Sequence, residues 1–202
     1  MGRSVARDHE AKRAAILKSA AQVFARDGIA GASMAAVAAE AGMSKGVLYH
    51  YWDGKEALLF EILDTYLAAL RDVVCADHES LGALCEEVLF AYHGMDAEHR
   101  IQAEGMGILP PERAEVLRGH QRAMVAALAD RLRAIAPDLK GRSLRAATMS
   151  VFGMLNWFYM WNPGADRDAR RDYAATVAQI TTGGVGALRA PPTMPGDANP
   201  AV

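Results

Sequence analysis

Three observations predict an all-α fold with about nine helices. Apolar residues recur at three- and four-residue spacing along most of the chain, and strand-like alternation is nearly absent. Ser, Asp, Gly and Pro signals fall between the periodic stretches. The 202 residues are 51 % hydrophobic, enough for a real core, and exclude a disordered chain.

Over residues 10–27, Ile16, Leu17, Ala20, Val23 and Phe24 trace one helical face. Asp8 is placed to cap its start, and Gly28 to end it. A short Ala-rich helix over 34–41 follows the cap Ser33 and stops near Gly42. Another runs from the cap Ser44 to about His50. Asp53-Gly54-Lys55-Glu56 reads as a capping box, with Asp53 at the N-cap. It opens a long helix through Leu58, Leu59, Ile62, Leu63, Tyr66 and Leu70. A fifth helix over 80–95 aligns Leu81, Leu84, Val88, Leu89 and Tyr92. A sixth, over 98–108, is broken by Gly105, Gly107 and Pro110-Pro111. The seventh, 112–136, ends at Pro137, and the eighth, 143–161, ends at Asn162-Pro163-Gly164. The ninth, 166–188, carries Tyr173, Val177, Ile180 and Leu188, and weakens at Gly183, Gly184 and Gly186. Residues 191–202 are rich in Pro, Gly and small residues and are expected to be a disordered tail.

The net charge of −2 hides a polarity. Residues 1–55 hold eight Lys/Arg against five acids, and the remainder holds 14 against 19. A basic head on an acidic body is attracted to phosphate at one end and repelled at the other. Cys75 and Cys85, ten residues apart, make no disulfide framework, and the N-terminus lacks the apolar core of a secretory signal. The longest apolar-dominated run, 151–161, falls short of the roughly 20 residues that cross a bilayer. A cytoplasmic protein without a membrane partner is the expectation.

Residues 29–59 read as helix, Gly-containing turn and short capped helix, the layout of a helix-turn-helix. Gly42 tolerates the positive φ such a turn requires. The hydroxyl of Ser44 and the free amides beside it suit a phosphate. Gly46 lets the backbone approach base edges, Lys45 and Val47 flank it, and Val47 matches a thymine methyl. Tyr49, His50, Tyr51 and Lys55 offer donors to phosphates. Leu48 and Trp52 read as core.

Three stretches carry a family resemblance. They are Ala20-Ala21-Gln22-Val23-Phe24-Ala25-Arg26-Asp27-Gly28, then Ser33-Met34-Ala35-Ala36-Val37-Ala38, then Ala41-Gly42-Met43-Ser44-Lys45-Gly46-Val47-Leu48-Tyr49-His50-Tyr51-Trp52 with Lys55-Glu56-Ala57-Leu58-Leu59. Over about residues 10–60 the chain closely resembles the TetR family of bacterial transcriptional regulators. It departs from the family's usual Thr at Met34 and usual Phe at Trp52. The first change removes a hydroxyl and leaves Ser33 to meet phosphate. The resemblance implies a three-helix DNA-binding domain over 1–55 and a helical ligand-binding and dimerisation domain over 56–190. It implies DNA contacts at Ser33, Ser44, Lys45, Gly46, Val47, Tyr49, His50, Tyr51 and Lys55. It further implies a homodimer acting as a repressor on a palindromic double-stranded operator, released by a small effector.

In the body, the helix over 143–161 is apolar nearly all round, so it is expected to be buried on every side, between a pocket and a partner subunit. Its segment Phe152-Gly153-Met154-Leu155-Asn156-Trp157-Phe158-Tyr159-Met160-Trp161 is similar to a branch of the family that senses acyl-CoA thioesters. Met106, Met124 and Met149 suit an adaptable acyl pocket, and Arg118, Arg122, Arg131, Arg133, Arg142 and Arg145 suit CoA phosphates. Candidate ligand residues are Tyr92, Met106, Met124, Met149, Phe152 and Asn156. Candidate dimer residues are Trp157, Trp161, Tyr173, Val177 and Ile180.

Cys75, His78, Cys85, His93, His99 and His120 lack the paired spacing of a structural zinc site, so neither metal nor cofactor is expected. With no Gly-rich phosphate loop, nucleophile elbow or outstanding carboxylate pair, no catalytic residue is assigned. A metal- or thiol-responsive regulator and a helical enzyme acting on thioesters stand as the alternative readings.

Overall fold

The helix signals in the sequence correspond to nine helices among the described residues, which in this computed structural model are 2–186 and 188. The tail expected at 191–202 lies outside them. Contacts divide the chain into two compact units. One comprises residues 1–73 and 91–123, the other 74–90 and 124–202.

The first unit contains α1 (Gly2–Asp27), α2 (Met34–Glu40), α3 (Lys45–Tyr51), most of α4 (Lys55–Cys75), α6 (Asp96–Ile108) and the first half of α7 (Pro111–Ile135). Helix α1 starts eight residues before the expected Glu10, so Asp8 lies inside it and does not cap it. Ser33 and Ser44 cap α2 and α3 as expected, accepting from the amides of Ala36 at 3.1 Å and Val47 at 3.3 Å. Gly28 and Gly42 follow α1 and α2 with φ of 74° and 64°, the left-handed conformation that a side chain resists. Helix α4 begins at Lys55, and the carbonyl of Gly54 accepts its first-turn bond from Leu58 at 3.1 Å. Asp53 therefore stands one residue outside the cap position.

The core of this unit is the apolar stripe read from the sequence. Ile16, Ala20, Val23 and Phe24 of α1, Val37 and Ala38 of α2, Leu48 of α3, and Leu58, Leu59, Ile62 and Leu63 of α4 are all buried. Helix α1 packs on α6 and α2, and α2 on α3. Gly105 does not break α6. A Cβ there would stand 2.8 Å from Leu63 Cδ1 and 3.3 Å from Leu59 Cδ1, so the missing side chain is what lets α6 approach α4. Local propensity argues against Gly in a helix interior, at about 1 kcal/mol, and close packing overrides it here.

The second unit contains the end of α4, α5 (Leu81–Ala91), the second half of α7, α8 (Gly141–Trp161) and α9 (Arg167–Val185). Ser80 and Asp166 cap α5 and α9, accepting from Ala83 N at 3.1 Å and Ala169 N at 2.8 Å. Leu84, Val88 and Leu89 of α5, Leu128 and Leu132 of α7, Val151, Leu155 and Phe158 of α8, and Ala174 and Val177 of α9 form its core. Arg170 is buried among them. Its guanidinium donates to Leu89 O at 3.0 Å and Ala165 O at 3.2 Å. Leu89 lies in the last turn of α5, where the helix dipole favours a cation. No helix of the described residues is long and apolar enough to cross a membrane.

Gly105→Val is expected to lower the unfolding free energy by about 1–3 kcal/mol through overpacking against Leu63 and Leu59, measured by urea denaturation. Cys85 is buried, which pushes its thiol up to about 12, whereas Cys75 is exposed. Cys85 is thereby kept as the unreactive thiol and is shielded from reagents by burial. An aromatic disulfide reagent should therefore titrate one thiol in the native chain and two in denaturant.

Candidate nucleic-acid interface

Helix α3 offers one end to solvent and the other to the core. Leu48 and Trp52 are buried, as expected, while Ser44, Lys45, Gly46, Val47, Tyr49 and His50 are exposed. Val47 is 39 % and Tyr49 43 % exposed, unusual for side chains with apolar bodies and consistent with a surface that meets another molecule. The Lys45 ammonium lies 5.5 Å from the Tyr49 ring centroid. A Cβ on Gly46 would meet nothing closer than Ser44 Oγ at 4.0 Å, so the backbone at the start of α3 is open to close approach. Ser33 is exposed at the head of α2. Met34, which stands beside it, is buried and serves the core.

Two of the candidate contacts are placed differently from the others. Lys55, expected to reach phosphate, donates to Ala30 O at 2.9 Å and Ala32 O at 3.1 Å, tying the start of α4 to the connection between α1 and α2. Two of its three donors are thereby used within the fold. Tyr51 is half-buried and stacks on Trp52 with ring centroids 5.4 Å apart.

What holds α3 against α4 is a network the sequence reading missed. Trp52 Nε1 donates to Glu61 Oε2 at 2.7 Å. Arg13 of α1 grips the same carboxylate with two nitrogens, Nε at 2.5 Å and Nη2. Its guanidinium carbon lies 4.8 Å from the Trp52 ring centroid. Donating to Glu61 raises Arg13 above the ordinary guanidinium value, so this cation is permanent. The available signal was the Trp in place of the family's usual Phe. A buried indole N–H needs an acceptor, and Glu61 is the acceptor one helix further on.

The candidate ligand residues fall in both units. In the first, Tyr92 has its phenol raised above its ordinary value by burial, and half-buried Met106 accepts from Gln121 Nε2 at 3.4 Å. In the second, Met124 and Phe152 are buried and Asn156 is half-buried. Met149 is 48 % exposed, which removes it from any interior pocket lining. Four of the six arginines proposed for CoA phosphates have local partners. Arg118 and Arg122 pair with Glu115, Arg133 pairs with Asp130, and Arg131 donates to the carbonyls of Ala76 and His78.

The expectation that α8 is buried on every side is also corrected. Leu144, Val151, Phe152, Leu155 and Phe158 face the core, but Trp157 and Trp161 are 61 % and 54 % exposed. Of the candidate dimer residues, Ile180 is 57 % exposed and Tyr173 is half-buried on Phe158. Val177 is fully buried within its own unit and is a core residue, on the stripe it shares with buried Ala174 and Thr181, while Ile180 stands at the edge of that stripe and is exposed. Among the described residues no three His, Cys, Asp or Glu side chains gather as metal ligands.

Residues 16–62 match the model of bacterial regulatory proteins, tetR family, and residues 76–185 match that of the tetracyclin repressor-like C-terminal domain. The chain is 34 % identical to the HTH-type transcriptional repressor KstR2 of Rhodococcus jostii over 92 residues, 44 % of this chain and 45 % of that protein. The matched part thus spans slightly under half the length of that relative. A solved TetR-family regulator from Bordetella parapertussis is 29 % identical, with a TM-score of 0.75, covering 89 % of this chain and 98 % of that one. A structure of AibR with isovaleryl coenzyme A and operator DNA is 22 % identical, with a TM-score of 0.68, covering 84 % and 97 %, and shows a shared fold.

Lys55→Ala should cost about 1–2 kcal/mol of stability in urea denaturation, because two carbonyls lose a charged donor. An unchanged midpoint would mean that these two bonds add nothing to the fold.

Proposed function

The chain belongs to the tetR family of bacterial regulatory proteins, which are regulators and not enzymes, and from that premise we propose a homodimeric, effector-released transcriptional repressor. The observation that carries this reading is the exposed start of α3. Lys45, Gly46 and Val47 stand free on a capped helix that follows the Gly42 turn, backed by buried Leu48 and Trp52. Such a helix enters a major groove with its first residues at the base edges. Ser33, Ser44, Tyr49, His50 and Tyr51 then meet the phosphates around it, joined by the remaining donor of Lys55.

The dimer reading rests on the second unit. Helix α8 exposes Met149, Trp157, Met160 and Trp161, and α9 exposes Ile180. Exposed Gly153, Gly183 and Gly184 lie among them and permit close helix approach. Apolar faces of this kind on two packed helices are covered when two copies form a four-helix bundle. Trp157, Trp161 and Ile180 are the residues assigned to that contact, with Tyr173 behind them. Two subunits then set their α3 helices about 34–36 Å apart, one turn of DNA.

For the effector we propose an acyl-CoA thioester, acting in the cytoplasm where the operator lies. The Phe152–Trp161 segment, the methionines of the body, and the fold shared with AibR, which is solved with isovaleryl coenzyme A, support that class. Within the second unit, Met124, Phe152 and Asn156 remain its candidate contacts. Helix α4 runs without a break from the DNA-binding segment into residues of the second unit, so a shift of α4 changes the spacing of the two α3 helices. A coupling of about 3 kcal/mol weakens operator binding roughly 150-fold.

Saturating short-chain acyl-CoA is expected to weaken operator binding by that order in an anisotropy titration, and unchanged affinity would rule out this effector class. Val47→Ala should alter preference among operator sequences and leave the salt slope unchanged. Trp157→Glu should yield monomers by light scattering and lose tight operator binding. A dimer that persists in this variant would displace the interface from α8.

A further inference from the structure

Tyr51 closes the reading helix, and it is half-buried where its neighbours Tyr49 and His50 are exposed. The cause is a ring from another helix. His9 of α1 stacks on Tyr51 with centroids 5.1 Å apart and planes at 29°. Tyr51 also stacks on Trp52 at 5.4 Å and 29°. Trp52 is in turn fixed by its bond to Glu61 and by Arg13 over its ring. Beside the edge of its neighbour His50 at 6.2 Å, the phenol that ends α3 is therefore stacked between the anchored indole and a ring of α1. His9 lies outside residues 16–62, the segment that the family model matches. It sits in the part of α1 that extends beyond the sequence-predicted start.

We propose that His9 is a positioning residue for DNA binding, which stacks on Tyr51 and holds its hydroxyl in the orientation that meets a backbone phosphate. The proposal rests on the regulator reading above. Its physical basis is preorganisation. A tyrosine at a helix end turns about two side-chain bonds, and freezing them on binding weakens the complex. A ring already held in the free protein avoids that loss. The imidazole does this through the face of its ring, so another aromatic ring of similar size replaces it.

The test uses the full-length protein and two duplexes of about 30 base pairs, one selected by the wild type from a randomised pool and one of scrambled sequence. His9→Ala should weaken binding to the selected duplex about three- to tenfold, the equivalent of freezing one side chain, with an unchanged salt slope. His9→Phe should restore wild-type affinity. In a Tyr51→Phe background, which lacks the hydroxyl, His9→Ala should have no further effect. Thermal melts of each variant establish that the fold is retained. Equal weakening in His9→Ala and His9→Phe, with a salt slope about one unit shallower, would make the imidazole itself the phosphate contact and overturn the proposal. So would His9→Ala binding like wild type. A wild type that enriches no duplex from the pool defeats the regulator reading and this proposal together, whereas enrichment with an indifferent His9 defeats this proposal alone.

Discussion

The carboxylate of Glu61 is the point on which the arrangement of the reading helix depends. It accepts from the indole N–H of Trp52 at 2.7 Å and from two nitrogens of Arg13. Through it α4 is joined to the residue that ends α3 and to α1. Helix α3 itself has only seven residues, too few to be stable alone, so its direction is set by what grips its ends. Ser44 fixes one end and the Trp52–Glu61–Arg13 group the other. Removing any one member would leave a partly buried charge or an indole N–H without its partner, which is why such groups are strict about geometry.

Helix α1 carries the same logic along its length. Arg13 pairs with Glu61 of α4, Lys18 with Glu98 of α6 at 3.2 Å, and Arg26 with Glu40 of α2 at 2.9 Å. These three contacts are unequal. The Arg26 pair is exposed on both sides, and pairs of that kind contribute about 0–1 kcal/mol. Glu98 is buried, so its carboxylate depends on Lys18, and loss of the lysine would strand a charge. Helix α6 is thus registered on α1 by a polar contact and on α4 by the absence of a side chain at Gly105. Within this unit, α1 contacts α2, α3, α4 and α6.

In the second unit the polar economy differs. Arg170 is buried against carbonyls and the face of Phe158, 5.6 Å from its centroid. The surface of α8 and α9 carries tryptophan, methionine and isoleucine in place of charge. Isolated charge pairs organise one unit and apolar surface the other, matching a part that we propose meets phosphate and a part that we propose meets a second copy of itself.

The sequence by itself determined the helices of the described residues, the Ser33 and Ser44 caps, and the exposed start of α3. These follow from local rules: apolar period, side-chain oxygens that accept free amides, and glycine at positive φ. It also carried the family, because the residues around the turn are dictated by local geometry and by what α3 must present. The tertiary structure alone decided matters that depend on residues distant in the chain. It placed Lys55 on two carbonyls, Val177 in the core with Ile180 outside, Met149 on the surface, and Glu61 between Trp52 and Arg13. Periodicity identifies an apolar stripe but not which of two apolar faces meets the chain's own core. Likewise, charge in a sequence names a donor and leaves its acceptor to be chosen by the fold.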